Sequence, residues 1–408
     1  MTLWSIVPLG SIATIQAGTG FPVRYQGKTF GAYPFAKVGD ISKLARAGGS
    51  QLSHADNYVS AADVRELKAR IVPEGSIVFA KIGEAIRQNF CAITVRPCLV
   101  DNNVMAVSPD KCMVDLRYFY HFWKSLDLYP LADSTTVPSI RKSTLEKLAV
   151  PLPPLDKQRQ IAEVLDRADA LRAQRWKAIS LLDSLAQSIF RDMFGDPVEN
   201  DRSWPVAEVA DFIKGFESGK NLAAGEENGN TRYRILKVSA VTSGVFKAEE
   251  SKPAPEGYIP PMSHVVRDGD LLFSRANTAE LIGATALAIN PPLNALLPDK
   301  LWRFLWYSPA RANVLYVRHL FRQPGFRCEV SRKSTGSSGS MKNISQAKVL
   351  SIECGLPPLD LQNAFGERVA SIEQLRSLYT SHLAELDNLF ASLQQRAFRG
   401  ELWDTRDN

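Results

Sequence analysis

Hydrophobic side chains recur at alternating steps of four and three residues in two stretches of the chain, 156–193 and 360–398. A repeat of about 3.5 residues that lasts over several heptads is typical of coiled-coil helices. Gly195 and Gly400 follow the two stretches and are typical helix stops. The sequence therefore predicts two long helices that pair with each other. The helix-pairing seam comprises Ile161, Leu165, Ala168, Arg172, Arg175, Ile179, Leu182, Ala186, Ile189 and Met193 in the first helix, and Phe365, Val369, Ile372, Arg376, Tyr379, Leu383, Leu386, Phe390, Leu393 and Ala397 in the second.

The two helical stretches belong to an internal repeat with an offset of 204 residues. Residues 152–158 read LPPLDKQ and residues 356–362 read LPPLDLQ, and weaker matches continue upstream. Both seams carry arginine at the same step, Arg172 and Arg376. The alternative interpretation, two amphipathic helices buried in separate domains, does not explain this shared register.

The segments before each long helix have the pattern of mixed α/β globules. Short β-branched or aromatic runs, such as 76–80 and 271–274, are separated by turn-forming Gly, Pro, Asn and Asp residues. The predicted fold is therefore α+β, with two mixed α/β domains separated by an antiparallel pair of long coiled-coil helices in a pseudo-twofold internal repeat. The predicted boundaries are 1–150 and 198–355 for the globular domains and 151–197 and 356–408 for the helical spacers.

Composition excludes several classes of protein. The chain has 408 residues, of which 45% are hydrophobic and 23% charged, so we expect two or three globular domains. Five scattered cysteines without a CxxC pair argue against a disulfide framework or a zinc site and fit a reducing cytoplasm. No apolar run is long enough to span a membrane, and the N-terminal residues lack the features of a secretion signal.

Positive charge is concentrated in the globular segments. Residues 1–150 and 201–355 each carry a net charge of +5, whereas residues 151–200 and 356–408, which contain the long helices, carry −1 and −3. The densest cationic segment is 311–348, which holds eight Lys and Arg residues against Glu329 alone and includes three interleaved aromatic residues. Basic and aromatic residues together favour nucleic-acid binding, although an ordinary solvated cationic face has the same composition.

Three short motifs resemble catalytic or nucleotide-binding sites but lack required residues. Residues 290–293 read NPPL, with leucine where amino-methyltransferases stack an aromatic side chain on a flipped base. Residues 214–221 resemble a P-loop, but the spacing of the glycines is one residue short and Asn221 replaces the magnesium-binding Ser or Thr. Residues 298–300 read PDK, as at the start of a nuclease motif, but no ExK follows at a suitable spacing. We therefore expect a non-catalytic protein.

The complete pattern resembles the specificity (S) subunits of type I restriction–modification systems. The strongest signatures are 151–158 and 356–362, each followed by a long helix, and the acidic-Gly turns that enter strands at 74–79 and 268–273. The resemblance implies two target recognition domains that read the halves of a split, asymmetric DNA site. It implies helices that hold two methyltransferase subunits, which bind S-adenosylmethionine and methylate adenine N6. It also implies motor–nuclease restriction subunits as further partners, and no cofactor in this chain.

Elementary geometry agrees with this resemblance. A helix of about 38 residues is roughly 57 Å long at about 1.5 Å per residue. This length lies between one and two turns of B-DNA at about 34–36 Å per turn. Two basic globules on such a spacer could reach half-sites on nearby turns. We expect base contacts from loops beside the strands that the two copies share.

The candidate DNA-binding residues are Arg, Lys, Asn and Gln residues, which can pair with guanine or adenine edges, and Ser or Lys residues suited to phosphate. They are Lys81, Arg87, Gln88, Asn89, Ser139, Arg141 and Lys142 in the first copy, and Arg275, Asn277, Thr278, Arg322, Gln323, Arg327, Ser340, Lys342 and Asn343 in the second. Two other classes remain open: a recognition subunit of a fused type II or related phage-defence system, and a coiled-coil scaffold whose basic globules bind an acidic protein.

Overall fold

A computed structural model describes residues 4–133, 137–226, 231–336 and 341–403. The chain divides into two compact units. Unit 1 comprises Met1–Lys177 and Thr380–Asn408, and unit 2 comprises Ala178–Tyr379. No helix among the described residues is both long and apolar enough to cross a membrane.

The elements of the first half, in chain order, are β1 (Ile6–Pro8), β2 (Ala13–Ala17), β3 (Tyr33–Ala36), α1 (Val38–Arg46), β4 (Gln51–Leu52), β5 (Tyr58–Val59), α2 (Ala61–Glu66), β6 (Ile77–Ala80), β7 (Cys91–Thr94), β8 (Leu99–Val100), β9 (Val104–Pro109), α3 (Leu116–Ser125), α4 (Lys142–Glu146), β10 (Ala149–Pro151) and α5 (Leu155–Phe194). Those of the second half are β11 (Val206–Glu208), α6 (Val209–Phe212), β12 (Ile213–Ser218), β13 (Arg234–Leu236), α7 (Ser239–Thr242), β14 (Ser251–Pro253), β15 (Leu271–Ser274), β16 (Ala276–Asn277), β17 (Thr285–Leu287), β18 (Ala295–Leu296), β19 (Leu301–Trp306), α8 (Val314–Leu320), α9 (Pro324–Lys333), β20 (Lys342–Asn343), α10 (Gln346–Leu350), β21 (Glu353–Gly355) and α11 (Leu359–Arg399).

The two predicted long helices are confirmed as α5 and α11, with 40 and 41 residues. Every seam position in both helices is buried or half-buried, whereas the positions between them are mostly exposed. Gly195 ends α5 at a φ of +72°, in the left-handed region that glycine adopts without strain. The seam residues therefore face protein neighbours as the 3.5-residue pattern predicted.

The helices run antiparallel where they pack within each unit. In unit 1 the beginning of α5 lies against the end of α11, where Ile161 and Leu165 share a core cluster with Phe390 and Ala397. In unit 2 the end of α5 lies against the beginning of α11, and the ring centroids of Phe190 and Phe365 are 5.5 Å apart. Each unit thus consists of a mixed α/β globule and its own part of the helical pair.

The sheets of the two units share their strand order, except that unit 1 has one additional edge strand, β4. Unit 1 contains a sheet in the order β2-β9-β6-β7-β4 and a second in the order β5-β3-β8. Unit 2 contains β12-β19-β15-β17 and β14-β13-β18 in the corresponding places. In both units a short antiparallel pair, β1 with β10 and β11 with β21, precedes the long helix. The internal repeat that the sequence indicated is therefore present in the strand topology.

A buried glutamine in each repeat motif fixes the globule to the long helix. In unit 1 the Gln158 carbonyl accepts a hydrogen bond from the Asp115 backbone N–H at 2.8 Å, and its amide donates to Pro153 O at 2.8 Å. In unit 2 the Gln362 carbonyl accepts from the Asn313 N–H at 3.0 Å, and its amide donates to Pro357 O at 2.9 Å. Asp115 and Asn313 are the N-caps of α3 and α8, so each glutamine joins two helix beginnings.

Candidate nucleic-acid interface

In unit 1 the loop after β6 lies beside the segment that precedes α4. The Ile140 N–H donates to Lys81 O at 2.9 Å, and the Gly83 N–H donates to Pro138 O at 2.8 Å. These contacts place Lys81 next to Ser139 and Arg141, which are separated from it by more than 50 residues of sequence. The structure thus brings together two groups of candidate residues, and we call residues 81–89 and 138–142 interface 1.

Unit 2 repeats this arrangement after β15. The Ile344 N–H donates to Arg275 O at 3.0 Å, as the Ile140 N–H does to Lys81 O in unit 1. The short strands β16 and β20 then pair, with Asn277 opposite Lys342. We call residues 275–278 and 342–343 interface 2. Ser340, the remaining candidate before this turn, lies outside the described residues.

Most cationic side chains of interface 1 are exposed and make surface ion pairs. Arg87 donates to Glu84 at 2.8 Å, and its guanidinium lies 3.4 Å from the centroid of the Tyr129 ring. Arg141 pairs with Asp133 at 2.7 Å, and Lys142 lies 3.6 Å from Glu146. Exposed pairs of this kind contribute little to stability, about 0–1 kcal/mol each. Such side chains can exchange these partners for phosphate at small cost.

Asn89 of interface 1 is less accessible than these cations. Asn89 donates to Leu126 O at 2.6 Å and to Trp123 O at 3.3 Å. It adopts a left-handed φ of +44° at the end of a short 3-10 helix. Asn89 therefore caps the C-terminus of α3, a structural role that the sequence did not indicate. Gln88 is exposed and accepts from Arg46 at 3.4 Å.

The side chains of interface 2 are partly held by their neighbours. The Arg275 guanidinium donates to Asp299 O at 2.6 Å and to the Asp299 carboxylate at 3.3 Å. Lys342 donates to Ser331 O at 3.2 Å. Asn277 accepts from the Thr278 N–H at 2.9 Å, and the Thr278 side chain is exposed. These contacts orient a guanidinium, an ammonium and an amide along one edge of unit 2.

The cationic segment 311–348 does not form one exposed patch. Arg318 is only 2% exposed and pairs with Glu373 of α11 at 3.0 Å. Arg322 lies nearby, and burial lowers its pKa, followed by the charge of Arg318. The short helix α8 thus packs Arg318 against α11. A helix of seven residues has too few turns for its sequence to show which face is buried.

The structure also corrects the expected position of Gln323. Its side chain is 4% exposed and donates to His319 O at 3.1 Å, so its amide lies in the core and not on a surface that DNA could approach. Arg327 donates to Glu280 O at 2.6 Å, and burial lowers its pKa. Arg327 therefore supports the loop that carries Thr278.

Unit 2 contains a basic cavity that the sequence analysis did not identify as a site. It adjoins Arg275 through Asp299 and has a volume of about 210 Å³. Four lysines from four segments line it: Lys220, Lys237, Lys252 and Lys300. The sequence signal was limited to Lys300, which the alignment of the two copies places opposite the uncharged Asn103.

Comparison with known proteins follows the same division of the chain. Residues 1–180 match the family model described as the type I restriction modification DNA specificity domain. This match covers the globule of unit 1 and the first part of α5. Similarity to curated specificity subunits extends over 98% of the chain. The first 180 residues thus match a type I DNA specificity domain, and the whole chain is similar to the specificity subunits of type I restriction enzymes.

Two curated specificity subunits are similar to the chain over nearly its full length. The MjaVIII specificity subunit of Methanocaldococcus jannaschii is 24% identical and aligns with 98% of this chain and 93% of its own. The EcoKI specificity subunit of Escherichia coli is 25% identical and aligns with 98% of this chain and 89% of its own. The similarity therefore includes both units and both long helices.

Solved structures show the same fold. The S subunit from M. genitalium has a TM-score of 0.54 at 15% identity and covers 97% of this chain and 96% of its own. A chain from a study of complex assembly and conformational transition in a type I restriction–modification system has a TM-score of 0.51 at 17% identity, with 98% of both chains covered. The specificity-subunit fold thus accommodates this sequence despite its low identity.

Proposed function

We propose that the chain reads a bipartite, asymmetric DNA site, one half with each unit, and that it has no catalytic centre of its own. The observation that carries this proposal is the duplication itself. The two units share strand order and the glutamine contact to the long helix, but they carry different side chains in interfaces 1 and 2. A shared frame with different polar loops suits two different half-sites.

The two interfaces offer the chemistry that base and phosphate recognition needs. Lys81, Arg87 and Gln88 of interface 1 and Arg275 and Asn277 of interface 2 carry the groups that pair with guanine or adenine edges in the major groove. The net charge of +5 on each globular segment supplies the sequence-independent attraction to phosphate. Specificity then depends on which loop side chains meet base edges.

The long helices suit a second role as a scaffold. Along them, large apolar side chains outside the seam remain exposed, including Leu171 and Trp176 in unit 1 and Leu181 and Leu378 in unit 2. Exposed apolar surface of this kind is typical of protein interfaces. We propose that it binds two adenine-N6 methyltransferase subunits, which carry S-adenosylmethionine, and that restriction subunits join this complex.

The experiment is to map methylated adenines in a host that carries this chain and its partner subunits. We expect methylation at one asymmetric motif with two short defined parts and a spacer of fixed length. The chain purified alone should transfer no methyl group. A single uninterrupted motif, or methyl transfer by the isolated chain, would contradict the proposal.

A binding experiment separates this function from that of a scaffold for an acidic protein. Random-sequence duplex should bind the chain with an affinity that falls steeply as salt rises, because phosphate contacts release counterions. Duplexes that contain the mapped motif should bind more tightly than random sequence. Equal, weak binding of all duplexes would favour the scaffold interpretation.

A further inference from the structure

The four-lysine cavity of unit 2 lies where the segments of two incomplete motifs are adjacent, 214–221 and 298–300. Lys220 comes from the segment that resembles a P-loop, and Lys300 comes from the PDK segment. A parallel bridge joins Lys220 to Pro298, and the Gly219 N–H donates to Pro298 O at 3.1 Å. A Cβ on Gly219 would lie 1.7 Å from Leu297 O, so only glycine permits this approach. The glycine thus serves a close contact between segments and not a nucleotide loop.

The sheet brings the other two lysines to the same place. Lys237 follows β13, and Lys252 lies on β14 opposite Ile235. Lys252 donates to Leu222 O at 2.8 Å, which holds its ammonium group at the cavity wall. The Arg275 N–H donates to Lys300 O at 3.1 Å, so the cavity adjoins interface 2.

These lysines lack acidic partners within the part of the chain that the structure describes. Lys220, Lys237, Lys252 and Lys300 form no ion pair there. Among the described residues that line the cavity, Asp299 is the one acidic residue, and it accepts from Arg275. Four neighbouring ammonium groups repel one another unless an anion lies between them. Such an arrangement lowers stability and is typical of a site that gains from binding.

Unit 1 places different residues at the equivalent positions. Thr19 bridges Asp101 as Lys220 bridges Pro298, and the Lys81 N–H donates to Asn103 O as the Arg275 N–H does to Lys300 O. Lys37 follows β3 as Lys237 follows β13, and Asn57 lies opposite Phe35 as Lys252 lies opposite Ile235. Unit 1 therefore has one cation, Lys37, where unit 2 has four.

We infer that the cavity lined by Lys220, Lys237, Lys252 and Lys300 binds one backbone phosphate of the DNA half-site read by unit 2, an inference that rests on the proposed DNA-reading function. A cavity needs only about 10–15 Å³ for one water, so its volume of about 210 Å³ admits a phosphate group. Lysine ammonium groups bind phosphate oxygens as mobile point charges without base preference. The cavity fixes the register of unit 2 on the duplex, while interface 2 contacts the bases.

The test replaces three lysines by the residues that unit 1 carries, in the triple variant Lys220→Thr, Lys252→Asn and Lys300→Asn. The control removes the same charge from lysines of unit 2 that do not line the cavity, as Lys214→Thr, Lys247→Asn and Lys348→Asn. Affinity of the full chain, assembled with its methyltransferase subunits, is measured for the mapped duplex over a range of salt. Loss of one phosphate contact should reduce the slope of log affinity against log salt by about 0.9.

We expect this reduction in the cavity variant only, with the ratio of cognate to non-cognate affinity unchanged. The melting temperature of the free cavity variant should stay the same or rise, because repelling charges are removed. An unchanged slope, or an equal reduction in the control, would overturn the inference while leaving DNA reading intact. Failure of the unaltered complex to bind DNA would instead refute the proposed function.

Inorganic phosphate distinguishes a DNA phosphate from a free anion. It is titrated at constant ionic strength into the unaltered chain and the cavity variant, and the melting temperature is followed. A site for free phosphate alone would show a phosphate-dependent rise in the unaltered chain together with an unchanged DNA salt slope in the variant, and this pair of results would overturn the inference.

Discussion

Units 1 and 2 build the same frame from strands of equal order but fill equivalent positions with groups of different charge. In β9 of unit 1, Ala106 lies opposite Val78 and is fully buried. In β19 of unit 2, the equivalent residue opposite Leu272 is Arg303, which is only 7% exposed. The difference shows that strand pairing and the glutamine contact define the fold of each unit. The polarity of the side chains at equivalent positions of this fold differs between the units.

Arg303 is tolerated because unit 2 surrounds it with acceptors. Its guanidinium pairs with Asp270 at 2.8 Å, donates to Val265 O at 3.1 Å, and also contacts Glu217 and Ser263 O. A buried charge is stable only when its partners satisfy it in this way. Unit 1 needs none of these groups, since alanine is apolar.

The largest expected effect comes from Arg303→Met. The substitution leaves the Asp270 and Glu217 carboxylates facing a largely buried site without their cation, which should destabilise unit 2 by about 3–5 kcal/mol. Hydrogen exchange followed separately in β15 and β6 should show faster opening in unit 2 and no change in unit 1. Equal exchange in both strands before and after the substitution would show that the Arg303 network does not stabilise unit 2.

Gln158→Met and Gln362→Met should destabilise units 1 and 2, respectively, by similar amounts that are smaller than the effect of Arg303→Met. Each removes the acceptor of a partly buried N-cap N–H, at a cost of about 1–3 kcal/mol for the unsatisfied group. Denaturant unfolding with hydrogen exchange at the beginnings of α3 and α8 measures the loss in each unit. Gln160→Met in the same helix is the control, because Gln160 is exposed. A loss no larger than that of the control would contradict the role of the glutamines.

The two units also differ around a histidine one turn into the equivalent helix. His121 of α3 lies 2.7 Å from the Asp166 carboxylate, whereas neither ring nitrogen of His319 in α8 has a partner among the described residues. Burial lowers the pKa of both histidines, but for His121 the Asp166 carboxylate opposes this effect. For His319 the nearby Arg318, Arg322 and Arg376 lower the pKa further, well below its usual value.

This difference predicts a dependence of stability on pH. The native state keeps His319 neutral, whereas the unfolded chain binds a proton below about pH 6.5, so stability is lost as pH falls through that value. The loss from one such group approaches about 1.4 kcal/mol per pH unit. His319→Phe should remove this slope from unit 2, and His121→Phe should remove a smaller one from unit 1. The same dependence of stability on pH in both variants and in the unaltered chain would contradict the role of these histidines.

The frame was largely predictable from the sequence, because its signals are local or periodic. The seam is a repeat along one helix, the stops are glycines at its ends, and the duplication is visible in two similar motifs. The same motifs predicted the similarity to type I specificity subunits. Interfaces 1 and 2 were partly predictable. The sequence indicates the candidate residues of both segments of each interface, and the contacts of Ile140 with Lys81 and of Ile344 with Arg275 show that the segments are adjacent.

The remaining features depend on contacts between distant segments. The partner of Gln158 lies 43 residues upstream, and the sequence pattern of α8 does not show that Arg318 points towards α11. The four lysines of the cavity are separated by up to 80 residues and share no common motif. Only the paired strands show that they converge.

The division of reading between the two units is tested most directly by mapping methylated adenines for two matched variants. Arg87→Ala changes interface 1, and Arg275→Ala changes interface 2. We expect each variant to relax the motif at one or two positions, by about 1–3 kcal/mol of discrimination for each base that is read, and only in the half assigned to its unit. Changes by both variants in the same half, or no change of motif with either, would contradict the proposal that each unit reads one half of the site.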